Sequence, residues 1–314
     1  MKMSAAEFAF AREESVSSGV RRIAAKQLEY ALGELDGSLR GGAGDGRVHE
    51  ARKTIKRLRG LIRLVREGLG EPIYQRENEC LRSAARHLAV AREAAAVNEA
   101  LDKVGLRFPA KLGPREMDGL RGRLRAYRDR VVADGLRPDT IAEVSRQLEH
   151  VHERIEGWPL QCGGWSALES GVRRVYAQGR NGLARARRAP TVTNLHEWRK
   201  SVKYHWSHLR LLHSSWTGPM GERRDAMKTL SDLLGDDHDL SELALVMLRL
   251  AGDPPVVDPA LARLLEIVAW RHQELVSDAF GLGSRIYAER PRRLTDRFGA
   301  YYEAWQAWPE AISR

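Results

Sequence analysis

Cysteine is almost missing from this sequence. Cys80 and Cys162 are the only two in 314 residues, and no C-x-x-C spacing occurs. That is too few for a disulfide framework and suits a reducing compartment. Long apolar runs are missing too: "LALVML" at 243–248 is closed by Arg249, so nothing reads as a bilayer-spanning helix. The opening "MKMSAAEFAFAREESVSSGV" carries charges where a secretory leader needs an unbroken apolar stretch. These absences predict a cytoplasmic protein. Also lacking are alternating β-branched runs bounded by turn residues, which excludes a sheet as the organising element.

What is present is helical periodicity and positive charge. A hydrophobic content of 43% is enough to build sizeable cores, and the length allows about two ordinary domains. Lys and Arg outnumber Asp and Glu 52 to 42, a net charge of +10, which points to an acidic partner. Apolar spacing predicts helices over 5–36, 47–69, 72–104, 115–134, 138–156, 163–188, 194–216, 220–251, 258–281 and 284–308. Gly- and Pro-rich stretches punctuate them at 41–46, 108–114, 157–164 and 251–259, and Pro291 is expected to break or kink the last helix.

The order of elements repeats. "VHEARKTIK" at 48–56 returns as "LHEWRKSVK" at 195–203, and "GVRR" precedes each by one helix, at 19–22 and 171–174. This predicts an all-α fold of two tandem helical-bundle repeats, 1–160 and 161–314, joined near 157–164. Short loops favour antiparallel neighbours within each half.

The repeated phrase begins like the zinc-protease helix H-E-x-x-H, but Lys53 and Lys200 occupy the fifth position. An ammonium has no lone pair for a metal. At about 100° per residue, Arg59, Arg52, Arg63, Lys56, His49, Lys53 and Arg57 fall on one arc of roughly 160°. Val48, Ile55, Ile62, Ala51, Leu58, Val65 and Leu61 fill the opposite arc. Between residues 47 and 66 there are eight Lys or Arg and one carboxylate, Glu50. Like charges on one helix face repel by a few tenths of a kcal/mol per pair, so carboxylates of a neighbouring helix or a polyanion must answer them.

In the second copy His196, Arg199, Lys200, Lys203 and Arg210 occupy the angular positions of His49, Arg52, Lys53, Lys56 and Arg63, above an apolar arc of Leu195, Trp198, Val202, Leu209 and Leu212. Halves related by an approximate two-fold would face these stripes across a shared groove. Each stripe runs about 21 Å at the helical rise, suited to a linear chain of charges. Tyr204 and Trp206 stand where Arg57 and Arg59 do, making the second wall more aromatic, and His205 falls on the apolar arc as a hydrogen-bonded core histidine.

Other features carry two readings. Asn194 with Glu197 resembles a capping box, and His49 and His196 are placed in a first helical turn, as cap or phosphate contact. Arg21, Arg22, Arg173 and Arg174 either extend the cationic wall or are solvated. "GGAGDGRV" at 41–48 lacks the Lys and Ser/Thr of a phosphate loop and reads as a flexible connector. "ENECL" at 77–81 lacks the Lys of an E-x-E-x-K triphosphate site and lies on a helix. Asp232, Asp236 and Asp239 share one face, either holding a hard cation or, as favoured, pairing with cations of an adjacent helix.

A duplicated helical domain whose halves each bear an H-x-x-[RK]-[RK]-x-x-[KR] helix resembles the CHAD family, the conserved histidine α-helical domain. The resemblance covers nearly the whole chain, most strongly at 48–66, 82–93, 195–212 and 228–242. It implies a pseudo-two-fold pair of bundles around a basic central cavity that binds inorganic polyphosphate, and association with polyphosphate granules or polyphosphate-handling enzymes. The family-type residues fall at His49, Arg52, Lys53, Lys56 and Arg63, and at His196, Arg199, Lys200, Lys203 and Arg210. The family's "LG..RD" signature reads "LGDDHD" at 234–239 and "LAVARE" at 88–93, with His238 for Arg and Glu93 for Asp. The phosphatase domain often fused ahead of this family is not expected, since the chain starts directly with a helix. The expectation is a non-catalytic polyphosphate-binding protein without cofactor or metal. Its competitors are a nucleic-acid-binding module stacking bases on Tyr204 and Trp206, and a metal-dependent phosphohydrolase built on the three aspartates.

Overall fold

The computed structural model describes residues 8–40, 44–135, 137–160 and 163–307, with side chains except at 44, 45, 90–93 and 132–135. Among the described residues there are twelve α-helices and no strand. They are α1 (Val16–Leu39), α2 (Gly44–Leu64), α3 (Arg66–Leu69), α4 (Glu71–His87), α5 (Ala89–Arg107), α6 (Pro114–Gly135), α7 (Pro138–Arg154), α8 (Ser166–Arg188), α9 (Val192–Leu212), α10 (Thr217–Leu250), α11 (Pro259–Ile286) and α12 (Pro291–Ala307).

Local chemistry explains the starts. Ser15, Thr191 and Asp258 side chains accept from the backbone N–H of Ser18, Asn194 and Leu261 at 3.0, 3.2 and 2.9 Å. Each satisfies an otherwise orphan donor of the first turn. Proline leads α6, α7, α11 and α12, where its missing N–H costs nothing. The first helix begins at Val16 rather than near residue 5, because Ser15 caps it and Glu14 is turned back to accept from Ala11 N and Arg22. Ahead of the cap, Phe8 and Phe10 are buried, and Phe10 N donates to Leu211 O at 3.0 Å, tying this segment to α9.

Two apolar clusters organise the helices. The larger takes the inner faces of α1, α2, α4 and α7 together with α8, α9, α12, the first half of α10 and the end of α11. The smaller joins α5 and α6 to the second half of α10 and the first part of α11. Lys103–Asp236 (2.7 Å), Arg107–Glu274 (3.3 Å) and Arg263–Glu116 (2.7 Å) cross the smaller cluster's rim, as does Arg123–Asp258.

This arrangement explains two boundaries that differ from the sequence expectation. The helix expected over 72–104 is two, broken at Leu88, which is fully buried. α4 packs on α2 and α7 whereas α5 packs on α6 and α10, so the chain must change direction between the clusters with no Gly or Pro to mark it. At the other end α11 stops at Ile286 and Pro291 opens α12 instead of kinking a continuous helix. The corner between them is held by Tyr176, whose hydroxyl lies 3.1 Å from Ile286 O and 2.9 Å from Glu289 O, and by Arg223, which donates to Ile286 O at 2.9 Å. The connector expected at 41–46 is shorter, since α2 already includes Gly44; residues 41–43 lie outside the described residues, as do the side chains of 90–93 in the weaker signature.

Candidate functional site

The apolar arcs of both repeated helices are buried as their spacing requires. Val48, Ala51, Ile55, Leu58, Leu61, Ile62 and Val65 on α2, and Leu195, Trp198, Val202, Leu209 and Leu212 on α9, all lie in the larger cluster. α2 and α9 touch directly. A Cβ on Gly60 would sit within 3 Å of Ser207, so glycine alone permits this approach. Beside it, His208 Nε2 donates to Gly60 O at 3.1 Å, and burial holds this imidazole neutral, its pKa lowered to about 3.

The helices pass in opposite senses, and the contacts are reciprocal. Arg63 lies 4.2 Å over the ring of Tyr204, while Arg210 is close enough to Arg57 for the two charges to repel. Positions 57, 60 and 63 thus face 210, 207 and 204. Residues in equivalent places of the two copies exchange neighbours across the crossing.

The cations differ in how the protein answers them. Lys53 and Lys200 are held by the glutamates three residues earlier, Glu50 at 2.7 Å and Glu197 at 2.6 Å. Arg52 donates to Ala85 O and Arg59 to Asn78 Oδ1, both at 3.3 Å. Burial lowers the pKa of Arg57, Arg59 and Arg199, with Asp239 and Asp237 opposing it at Arg199. Burial, reinforced by Arg57 and Arg224, lowers Arg210 to about 10, and its guanidinium lies between Phe8 (4.8 Å) and Trp206 (5.3 Å). Lys56 is exposed.

Lys203 is the outlier. It is half-buried, and its ammonium makes no hydrogen bond or ion pair with any described residue. Burial, then Arg199, pulls its pKa down to about 7, Asp239 opposes, Arg52 lowers it further and Asp232 opposes. It therefore joins the two stripes electrostatically: α9 carries it, and α2 supplies Arg52. His196 stands two turns away with its ring 5.0 Å from that of His238, its pKa lowered by burial and then by His238, Arg199 and Lys200.

The aspartates of α10 answer these cations from the other side. Burial alone would raise Asp239, but the hydrogen bond with His238 (3.2 Å) and the charges of Arg199 and Lys203 hold it below its ordinary value. Asp236 accepts from Lys103 at 2.7 Å and Asp232 from Lys228. Among the described residues no group of three or more His, Cys, Asp or Glu is placed to hold a metal. Asp239 also lines a cavity of about 160 Å³ between α5, α10 and α11, with Lys103, Arg107 and Arg271 on its wall. Sequence reasoning missed Asp237, buried and 2.5 Å from His272, and the Asn78 and Ala85 acceptors. The first stands inside "LGDDHD"; nothing in the sequence marks the other two.

Arg21 donates to Trp158 O (2.9 Å), Arg22 to Glu14 and Ala9 O, Arg173 to Glu169 (3.0 Å) and Arg174 to Glu67 (2.6 Å), so each of the four has an acceptor within the protein. Three local expectations are corrected. His49 and His196 are not in first turns, because α2 starts at Gly44 and α9 at Val192. Thr191, not Asn194, caps α9, and Glu197 takes Lys200. His205 is in the core, but both ring nitrogens lack hydrogen bonds; it packs on the Tyr176 ring at 5.4 Å, and burial drives its pKa well below the ordinary value.

The sequence profile of the CHAD domain matches residues 22–248. The chain belongs to the CHAD domain family. Its fold is similar to the crystal structure of the CHAD domain from the plant Ricinus communis, with a TM-score of 0.60, 16% identity and 98% of each chain covered. It is also similar to PptA from Streptomyces chartreusis, with a TM-score of 0.53 and 15% identity over 84% of this chain and 99% of that one. No curated protein matches the chain. No described helix is long and apolar enough to cross a membrane.

Proposed function

We propose that this protein binds inorganic polyphosphate without transforming it, in a groove walled by the cationic stripes of α2 and α9, and that binding targets it to polyphosphate granules or polyphosphate-handling enzymes. The two halves, 1–160 and 161–314, would be related by a pseudo-two-fold at Gly60 and Ser207. The CHAD family is associated with polyphosphate binding. The observation that carries the reading is Lys203, an enclosed ammonium without an acceptor, within reach of the cations Arg52 and Arg199. Such a group is at a disadvantage until an anion arrives. A polyphosphate supplies repeated oxygens to Lys as a point charge and to Arg in bidentate fashion.

Nucleic acid fits less well, because Tyr204 and Trp206 are each already engaged by a guanidinium, of Arg63 and Arg210, which competes with base stacking on those rings. Hydrolysis at the aspartates fits less well too, because each is already hydrogen-bonded to a side chain of the protein, Asp236 to Lys103, Asp232 to Lys228 and Asp239 to His238. Replacing Arg52, Arg199 and Lys203 together by Glu should abolish retention on immobilised long-chain polyphosphate while helicity by circular dichroism persists. Undiminished retention contradicts the proposal, as does displacement of polyphosphate by RNA at equal phosphate concentration or phosphate release in the presence of Mg²⁺.

A further inference from the structure

Two unsatisfied groups of α9 lie side by side. Lys203 has no hydrogen bond or ion pair with a described residue, and it is half-buried, which leaves its amine within reach of a small molecule. Arg199 stands one turn earlier on the same face of the helix, and its Nε is buried without a hydrogen-bond partner. Arg52 acts on the Lys203 charge from α2, and Asp232 and Asp239 act on it from α10. The site therefore joins an amine without an acceptor to a guanidinium donor without one.

That pair selects a class of reagent. A lysine of ordinary basicity is an ammonium at neutral pH and has no lone pair to give. Burial, then Arg199, holds Lys203 near 7, so much of it is free amine at neutral pH. The guanidinium beside it matches phosphate oxygens in bidentate fashion. A reagent suited to both carries an electrophilic carbon next to a phosphate, as acyl phosphates do. With the phosphate on the guanidinium, the carbonyl carbon, bonded to the bridging oxygen, is brought against the amine, and this proximity accelerates attack.

We infer that Lys203 is an acyl-acceptor site: an acyl phosphate docked on Arg199 and Arg52 transfers its acyl group to Lys203 Nζ, and the acylated protein releases polyphosphate. The Nζ lone pair attacks the carbonyl carbon, and the bond from that carbon to the bridging oxygen breaks. Inorganic phosphate leaves with the electrons of that bond, and the surplus proton on nitrogen passes to water. The product is a neutral amide, so the groove loses one cation. Bound polymer protects the site in turn, because it occupies the guanidinium groups and restores the proton on Lys203. Release rests on the α2–α9 groove being a polyphosphate site; acylation does not.

The test treats the full chain with acetyl phosphate, and separately with phenyl acetate as an acyl donor without phosphate, and reads each lysine by peptide mass spectrometry. Lys203 should react with acetyl phosphate about tenfold faster than Lys53, Lys56 or Lys200, since the gain in free amine outweighs the weaker nucleophilicity of a weaker base, as it does for thiols. Arg199→Gln, at unchanged circular dichroism, should slow that reaction about tenfold, the usual cost of losing one charge-assisted hydrogen bond, and slow the phenyl acetate reaction much less. Acetylated protein should bind long-chain polyphosphate about tenfold more weakly for the same reason, and polyphosphate added first should protect Lys203. Acetylation of Lys203 no faster than that of the other three lysines overturns the inference, whatever the polymer does. Equal slowing of both donors by Arg199→Gln overturns it too, because the guanidinium then docks no phosphate. If Lys203 is acetylated selectively but untreated protein does not bind polyphosphate, the groove reading fails and takes release with it. If untreated and acetylated protein bind the polymer equally well, release alone is overturned.

Discussion

The two copies of the cationic helix are alike in composition and unlike in what the rest of the protein does to them. On α2, Arg52 and Arg59 find neutral oxygen acceptors and Lys56 has an exposed side chain. On α9, Arg199 and Lys203 are more enclosed and face carboxylates of α10 that touch neither side chain directly. The lysines that come first in each phrase, Lys53 and Lys200, are treated identically, each clamped by a glutamate three residues earlier. Counting charges therefore ranks α2 as the stronger wall, whereas solvation ranks α9. A cation in water has little to gain from a new partner; one held out of water with no acceptor has more.

The comparison can be broken at the position where the helices meet. Gly60→Leu would drive a side chain into Ser207 and separate both stripes together; overpacking of this kind costs about 1–3 kcal/mol. We expect a lower melting temperature and loss of polyphosphate binding by the refolded variant. Ser207→Gly, the reverse change at the equivalent position, should keep binding.

Reversing one charge on each side sharpens the ranking. Lys203→Glu should reduce affinity at least a hundredfold by equilibrium titration, and Lys56→Glu, the equivalent change on α2, no more than tenfold. Equal losses would show that enclosure does not distinguish the walls.

pH should act through the same residue. In the free protein Lys203 titrates near 7, well below its ordinary 10.5, while a bound phosphate restores its proton. Affinity is then fullest below pH 7 and declines as pH rises above it, by up to tenfold per unit until the pKa of the bound state is passed. The free protein shows the opposite trend: the unfolded chain holds the proton to higher pH, so stability rises between the two pKa values. Lys203→Arg should flatten the binding profile; a profile unchanged by that substitution contradicts the assignment. The smallest effect is expected at the clamped lysines, where Lys53→Ala or Lys200→Ala should change affinity less than threefold.

Much of this was legible in the sequence because it depends on periodicity. The all-helical class, the buried arcs of α2 and α9 and the helix-leading prolines at 114, 138 and 259 follow from spacing and local chemistry. The break at Leu88 did not, since it is imposed by two clusters pulling α4 and α5 in different directions. Nor did the occupation of Arg21, Arg22, Arg173 and Arg174, whose partners include the remote Trp158 carbonyl and Glu67. Helical phase tells which way a cation points; only tertiary packing tells whether an acceptor waits for it. The same limit applies to His205 and His208, three residues apart on one buried face, of which only His208 finds a backbone oxygen.

A structure of the protein with bound polyphosphate tests the central claim most directly. The account predicts polymer density passing across the α2–α9 crossing, with phosphate oxygens in hydrogen-bonding distance of Lys203 Nζ and of the Arg52 guanidinium. Polymer bound elsewhere, with Lys203 still without an acceptor, would contradict it.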